Sequence, residues 1–268
     1  MCARIAFEDG SNASTVVTLR CAFAMLAIGA AIRVSATPDA MTGRDRRLIL
    51  VLGLFFAVNV YAFYKAVELL RVPLAILIFY VYPLLTVLFS AAAGLERLRG
   101  AVIACCLVSL AGLALATGAA PEAVDALGVA LVLCSAAVIA AVLVVTTRRV
   151  AHVDARRRTF WMMVSTTAVL GTGLVASGTF TPPESARGLA ALAGVCVFYS
   201  IGLVALFTSA TRIGPARTAV IMNLEPVAAI LLSTLLLGQG LTAAQLGGGA
   251  LALAGVLGAQ LAQQARSR

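Results

Sequence analysis

The sharpest chemical signal in this sequence is an ionisable residue near the middle of a long apolar run. Glu225 sits inside the run Ala216 to Leu237, with Asn223 two residues before it and Pro226 directly after. A charged side chain at the centre of a bilayer costs ~2.5–3.5 kcal/mol on insertion scales, so such residues mark proton, ion or substrate pathways by default. Low dielectric favours the neutral form of a carboxyl, which suits the group to carry a proton or to meet a substrate amine. The competing reading is a glutamate held between helices for packing alone. Pro226 weighs against it, because proline interrupts the helical ladder and frees carbonyls that can line a cavity.

The same device occurs earlier in the chain. Tyr80-Val81-Tyr82-Pro83 lies inside the apolar run Val72 to Ala93. Laying Pro83 on Pro226 sets an offset of 143 residues, which also aligns Leu88 with Leu231, Ser90 with Ser233 and Leu98 with Leu241. Further on it pairs Leu110-Ala111-Gly112 with Leu253-Ala254-Gly255. A register held this long is an internal duplication. Broken helices at matching places in two membrane halves point to a transporter's binding site.

Around these breaks stand weaker candidates. Tyr82 aligns with Glu225 across the repeat, and Tyr80 and Tyr82 offer the apolar body and polar tip that small-molecule cavities use. Asn223 faces either the cavity or a neighbouring helix. Asn59 and Tyr64 on the second apolar run, and Tyr199 with Ser200 on the seventh, fit a pathway or ordinary interhelical hydrogen bonding equally well. Arg20 and Lys65 sit toward the ends of their runs. Lys65 is expected to snorkel to the interface, and Arg20 to meet an anion or Glu68. Ala250, Ala254 and Gly258 form a small-residue stripe that suits helix packing or a homodimer face.

The elements that must position these residues follow from composition. The 268 residues are 62% hydrophobic and 12% charged, with a mean hydropathy of +1.03. Soluble domains run nearer half apolar. Continuous Leu/Ala/Val/Gly runs close to 20 residues are membrane helices, not the alternating strands of a barrel. Nine runs are present: 15–36, 48–67, 72–93, 101–117, 126–147, 160–177, 189–209, 216–237 and 242–263. The fold class is therefore all-α, a polytopic membrane protein. The six cysteines have no metal-ligand spacing, and His152 with Asp154 in an arginine-rich loop makes no cation site. No metal or cofactor is expected. No Ser/His/Asp group, paired His/Glu motif or phosphate loop suggests an enzyme.

The net charge of +9 could indicate nucleic acid, but its distribution indicates topology. Alternate connections hold fifteen arginines on one side (33, 44, 46, 47, 97, 99, 148, 149, 156, 157, 158, 212, 217, 266, 268) against three (4, 71, 187) on the other. Cytoplasmic loops carry the positive charge, so the C-terminus is expected in the cytoplasm and the run Arg148 to Arg158 acts as a topology anchor. By the offset, the fifth run maps to before Met1. Each half is thus expected to hold five helices, with the opening helix of the first missing. The repeats are placed at 1–118 and 119–268. Five is odd, so the halves point in opposite directions, an inverted-topology repeat of five-helix units with nine helices present and ten in a full-length form.

Taken in order, these features resemble the drug/metabolite transporter superfamily, in its EamA-like ten-helix branch. The resemblance rests on Thr18-Leu19-Arg20, Phe63-Tyr64-Lys65-Ala66, Pro73-Leu74-Ala75, Tyr82-Pro83 with Glu96 following, Glu225-Pro226, and Gly247-Gly248-Gly249. Gln239 departs from the acidic residue often found at its position. The resemblance implies a multi-pass carrier of the bacterial inner membrane that exports amino acids, related metabolites or toxic compounds, commonly by proton exchange. Its partners would be a small-molecule substrate and the lipid bilayer, with no nucleic acid. An accessory or receptor-like membrane subunit without transport is the alternative.

Overall fold

In the computed structural model, residues 5–7, 9–34, 41–70, 72–117, 125–225, 228 and 242–264 are described. Short polar residues open most of its helices. Asn12 Oδ1 accepts the Thr15 N–H at 2.8 Å, and Asp125 Oδ1 accepts that of Gly128 at 2.8 Å. Asp154 accepts those of Arg156 and Arg157. Thr42 with Asp45, and Thr242 with Gln245, form reciprocal capping boxes. Each such cap satisfies donors that the first helical turn leaves unpaired.

Among the described residues, the helices of eight residues or more are α1 Ala13–Val34, α2 Gly43–Leu69, α3 Val72–Phe79, α4 Tyr82–Ala92, α5 Gly100–Thr117, α6 Ala126–Arg149, α7 Ala155–Ser177, α8 Ala186–Ile213, α9 Pro215–Met222 and α10 Ala243–Gln264. Several run beyond the apolar stretch that announced them. Helix α7 starts five residues before Phe160, for example, because its start is set by the Asp154 cap and not by hydropathy. Among the described residues, six helices are long and apolar enough to cross a membrane, with the α3–α4 pair counted as one from Leu74 to Ala92; Gly100–Ala116 and Ala243–Ala259 are shorter apolar helices.

The duplication is legible in the helix boundaries. Adding 143 to Gly43, Val72, Phe79 and Gly100 gives 186, 215, 222 and 243, where α8 begins, α9 begins and ends, and α10 begins. Helix α1 maps onto α7 to within one residue.

The chain folds as two compact units, each taking a piece from both copies. Unit 1 holds 1–64 and 145–211; unit 2 holds 65–144 and 212–268. Within unit 2, α5 and α10 cross backbone to backbone. A Cβ on Gly112 would meet the backbone of Gly248 and Ala252, and one on Gly255 would meet that of Cys105 and Ser109. The offset converts one set into the other, since 112, 248 and 252 become 255, 105 and 109. The two helices run antiparallel, so the repeat is inverted here. In unit 1, α1 and α7 also run antiparallel: Ser11 Oγ donates to the Thr181 carbonyl at 2.9 Å at one end, and Gly29 meets the Phe160 ring toward the other.

The stripe that packs on α10 is not the expected one. Of the expected stripe, Ala250 and Ala254 are exposed and only Gly258, half-buried, meets α5 at Cys105, whereas Gly248, Ala252, Gly255 and Ala259 are buried. The reason is helical phase: spacings of four, three and four stay on one face of a 3.6-residue helix, while a strict spacing of four drifts off it.

Arg158 is a second correction. Grouped with the loop arginines by sequence, it is fully buried. Its guanidinium donates to the carbonyls of Val150 at 2.9 Å, Val153 at 3.3 Å and Phe207 at 3.0 Å, tying the α6–α7 connection to α8. Neither Met nor Lys reproduces that planar fork. Arg158→Met is expected to lower stability by about 3 kcal/mol, the scale of losing a buried charged hydrogen-bond group. Thermal unfolding in detergent would measure this, with Arg156→Met nearly neutral because Arg156 is partly exposed.

Candidate functional site

The first broken helix is interrupted at Tyr80 and Val81. Helix α3 stops at Phe79 and α4 restarts at Tyr82, with Pro83 in its first turn. Proline has no N–H to offer Phe79 and fits the opening of a new helix, so the break falls just before it. The second copy behaves alike: α9 ends at Met222, and Asn223 is a turn residue. Pro226 and, apart from residue 228, the rest of the stretch to 241 lie outside the described residues.

Unit 2 brings the two breaks together. The Tyr80 hydroxyl donates to Glu225 Oε2 at 3.3 Å, joining residues 145 apart in sequence. Tyr82 lies beside this pair, its ring centroid 6.1 Å from that of Tyr80 and 5.3 Å from that of Phe79. Tyr80, Tyr82 and Pro83 are buried, while Glu225 is exposed. The offset exchanges Tyr80 with Asn223 and Tyr82 with Glu225, so four equivalent positions supply three phenol or carboxyl groups and one amide.

Asn223 turns away from that pair. Its Nδ2 donates to Ser109 Oγ at 3.1 Å, and its Oδ1, in a residue 2% exposed, has no partner among the described residues. Ser109 is a site neighbour that sequence reasoning missed, since one serine in a glycine-rich helix carries no signal by itself.

Other candidates belong to unit 1. Arg20 Cζ stands 4.4 Å above the centre of the Tyr199 ring, a cation–π contact that holds the guanidinium against an aromatic face. Cys21 Sγ approaches the same phenol at 3.9 Å. In unit 2, Glu68 pairs with Lys65 at 2.9 Å. Asn59 is buried and Tyr64 half-buried on α2. At the far end of the first broken helix, Gly214 (φ 95) bends the chain so that Glu96 receives the Ala216 N–H at the start of α9. Burial pushes this carboxyl above its usual range, with the Ala216 N–H and Arg217 acting against it.

Tyr80→Phe removes one donor from an open carboxylate and leaves the ring in place. A single hydrogen bond of this length is worth about 1 kcal/mol, so stability measured by thermal unfolding is expected to fall by no more than that, and transport by roughly fivefold.

A chain of apolar helices with a duplicated, proline-broken element is a multi-pass membrane protein. A model of the EamA-like transporter family matches residues 1–118 and 126–260, and the chain belongs to that family. It is a membrane transporter of small molecules. Among solved structures, one described only as "Crystal structure of protein" matches with a TM-score of 0.74 and 24% identity, over 95% of this chain and 91% of that one, which supports the fold. No curated protein matches.

Proposed function

We propose that this protein is a proton-coupled exporter of small organic metabolites, such as amino acids or toxic compounds, working by alternating access with Glu225 at the centre. The observation that carries the reading is the Tyr80–Glu225 pair, where two helix breaks from opposite copies of the repeat meet at an exposed carboxylate. Glu225 alternates between a proton and the substrate, and Tyr80 and Tyr82 form the aromatic wall beside it. Asn223, turned to Ser109, holds the second break in place beside the pair, and the breaks at Pro83 and Pro226 supply loosened backbone. Arg20 with Tyr199, and Asn59 and Tyr64, are assigned to the pathway as well. The repeats are taken as 1–118 and 119–268. The protein is placed in a bacterial inner membrane with its C-terminus in the cytoplasm, on the strength of the arginine asymmetry.

The test is mass spectrometry of the medium from cells expressing the wild type or Glu225→Gln, with membrane insertion checked in both. Accumulation of one chemical class outside, lost in the variant, supports the reading. Export that persists unchanged in Glu225→Gln removes Glu225 from the centre.

A further inference from the structure

Three arginines converge in unit 1, far along α1 from Arg20. Where α1 ends and α2 and α7 begin, a cavity of ≈ 570 Å³ is lined by Arg33, Arg46 and Arg157 together with Phe160, Trp161 and the last turns of α1. Arg46 stacks over the Trp161 ring at 5.3 Å, and Phe160 stands edge-on to Trp161, their centroids 5.3 Å apart. Gly29 lets the Phe160 ring lie directly against α1. Leu26, on the apolar side of the cavity, is 66% exposed. No acidic side chain lines the cavity among the described residues. Asp45, next to Arg46, is turned instead to Thr42 at 2.7 Å and to His152 at 3.2 Å.

We propose that this cavity is a binding site for an anionic phospholipid. Guanidinium forks match the geometry of phosphate oxygens. Tryptophan with arginine marks the headgroup level of a membrane, and basic pockets between membrane helices bind anionic lipid headgroups. The apolar wall distinguishes a lipid from free phosphate. Three arginines take the phosphodiester, Trp161 and Phe160 border the glycerol region, and the acyl chain follows Leu26 along α1. The site is built from unit 1 alone and stands or falls independently of the role of Glu225.

Trp161 is the one tryptophan in the chain, so its fluorescence reports on this cavity directly. The full chain, reconstituted in phosphatidylcholine, is titrated with dibrominated phosphatidylglycerol or dibrominated phosphatidylcholine. The expected result is saturable quenching at low mole fraction by the anionic lipid, and only gradual quenching by the zwitterionic one. Combining Arg33→Gln, Arg46→Gln and Arg157→Gln is expected to weaken the saturable phase tenfold or more, given the contribution of each basic residue at an anionic surface. Arg46→Gln alone gives a smaller loss and serves if the triple variant is not recovered folded. Arg44→Gln with Arg47→Gln, which lie on α2 but do not line the cavity, leave the phase intact. Identical quenching by the two lipids overturns the proposal, as does equal loss in the Arg44/Arg47 variant. Full competition by millimolar inorganic phosphate overturns it too, by showing a site for phosphate alone.

Discussion

Cells producing Glu225→Gln are expected to export no more substrate than cells lacking the protein, a fall of at least tenfold, with the variant inserted in the membrane at normal levels. Gln is nearly isosteric with Glu and still accepts the Tyr80 hydroxyl through its amide oxygen, so the 3.3 Å contact survives. What the variant loses is the ability to take up and release a proton. If coupling runs through this carboxyl, wild-type export slows as the external pH rises and fewer protons are available to enter. Any residual flux in Glu225→Gln would be flat with pH. Preserved flux with preserved pH dependence would move the coupling group elsewhere. The exposed position of Glu225 makes a structural explanation of a large loss weak, since an open carboxylate contributes little to packing.

The second large effect is steric. Gly112→Ala and Gly255→Ala each place a methyl group inside the contact distance of a facing backbone, where no side chain can rotate away. The helices α5 and α10 must then separate, and close contact of small residues is the main source of helix association in a membrane. Both variants are expected to give little folded protein in detergent, measured by size-exclusion profile and thermal unfolding. Gly247→Ala on the same helix is the control. Nothing lies within 4 Å of its added carbon, and alanine's helix propensity favours it by about 1 kcal/mol over glycine. The prediction also tests the repeat: because the offset of 143 exchanges Gly112 with Gly255, their losses are expected to be similar.

The class of protein, the placement of most of its helices and its duplication are properties of the sequence. Each depends on interactions within a few residues or on composition. Apolar runs make membrane helices, Asp154 and Thr42 cap their starts, and Pro83 breaks a helix wherever the helix lies. The register of 143 residues was readable because both copies repeat the same local devices. The tertiary structure decided which residues meet. Tyr80 and Glu225 are 145 residues apart, and only the antiparallel crossing of inverted repeats brings their breaks together. Asn223 chose Ser109 over the carboxyl pair for the same reason. The grouping of helices into two units, each drawn from both copies, is likewise invisible to hydropathy, which reports depth in a membrane and not the identity of a neighbour. Arg158 is the clearest case. The charge of the Arg148 to Arg158 run argues topology as a sum, while the burial of one member against Val150, Val153 and Phe207 depends on where α8 happens to pass.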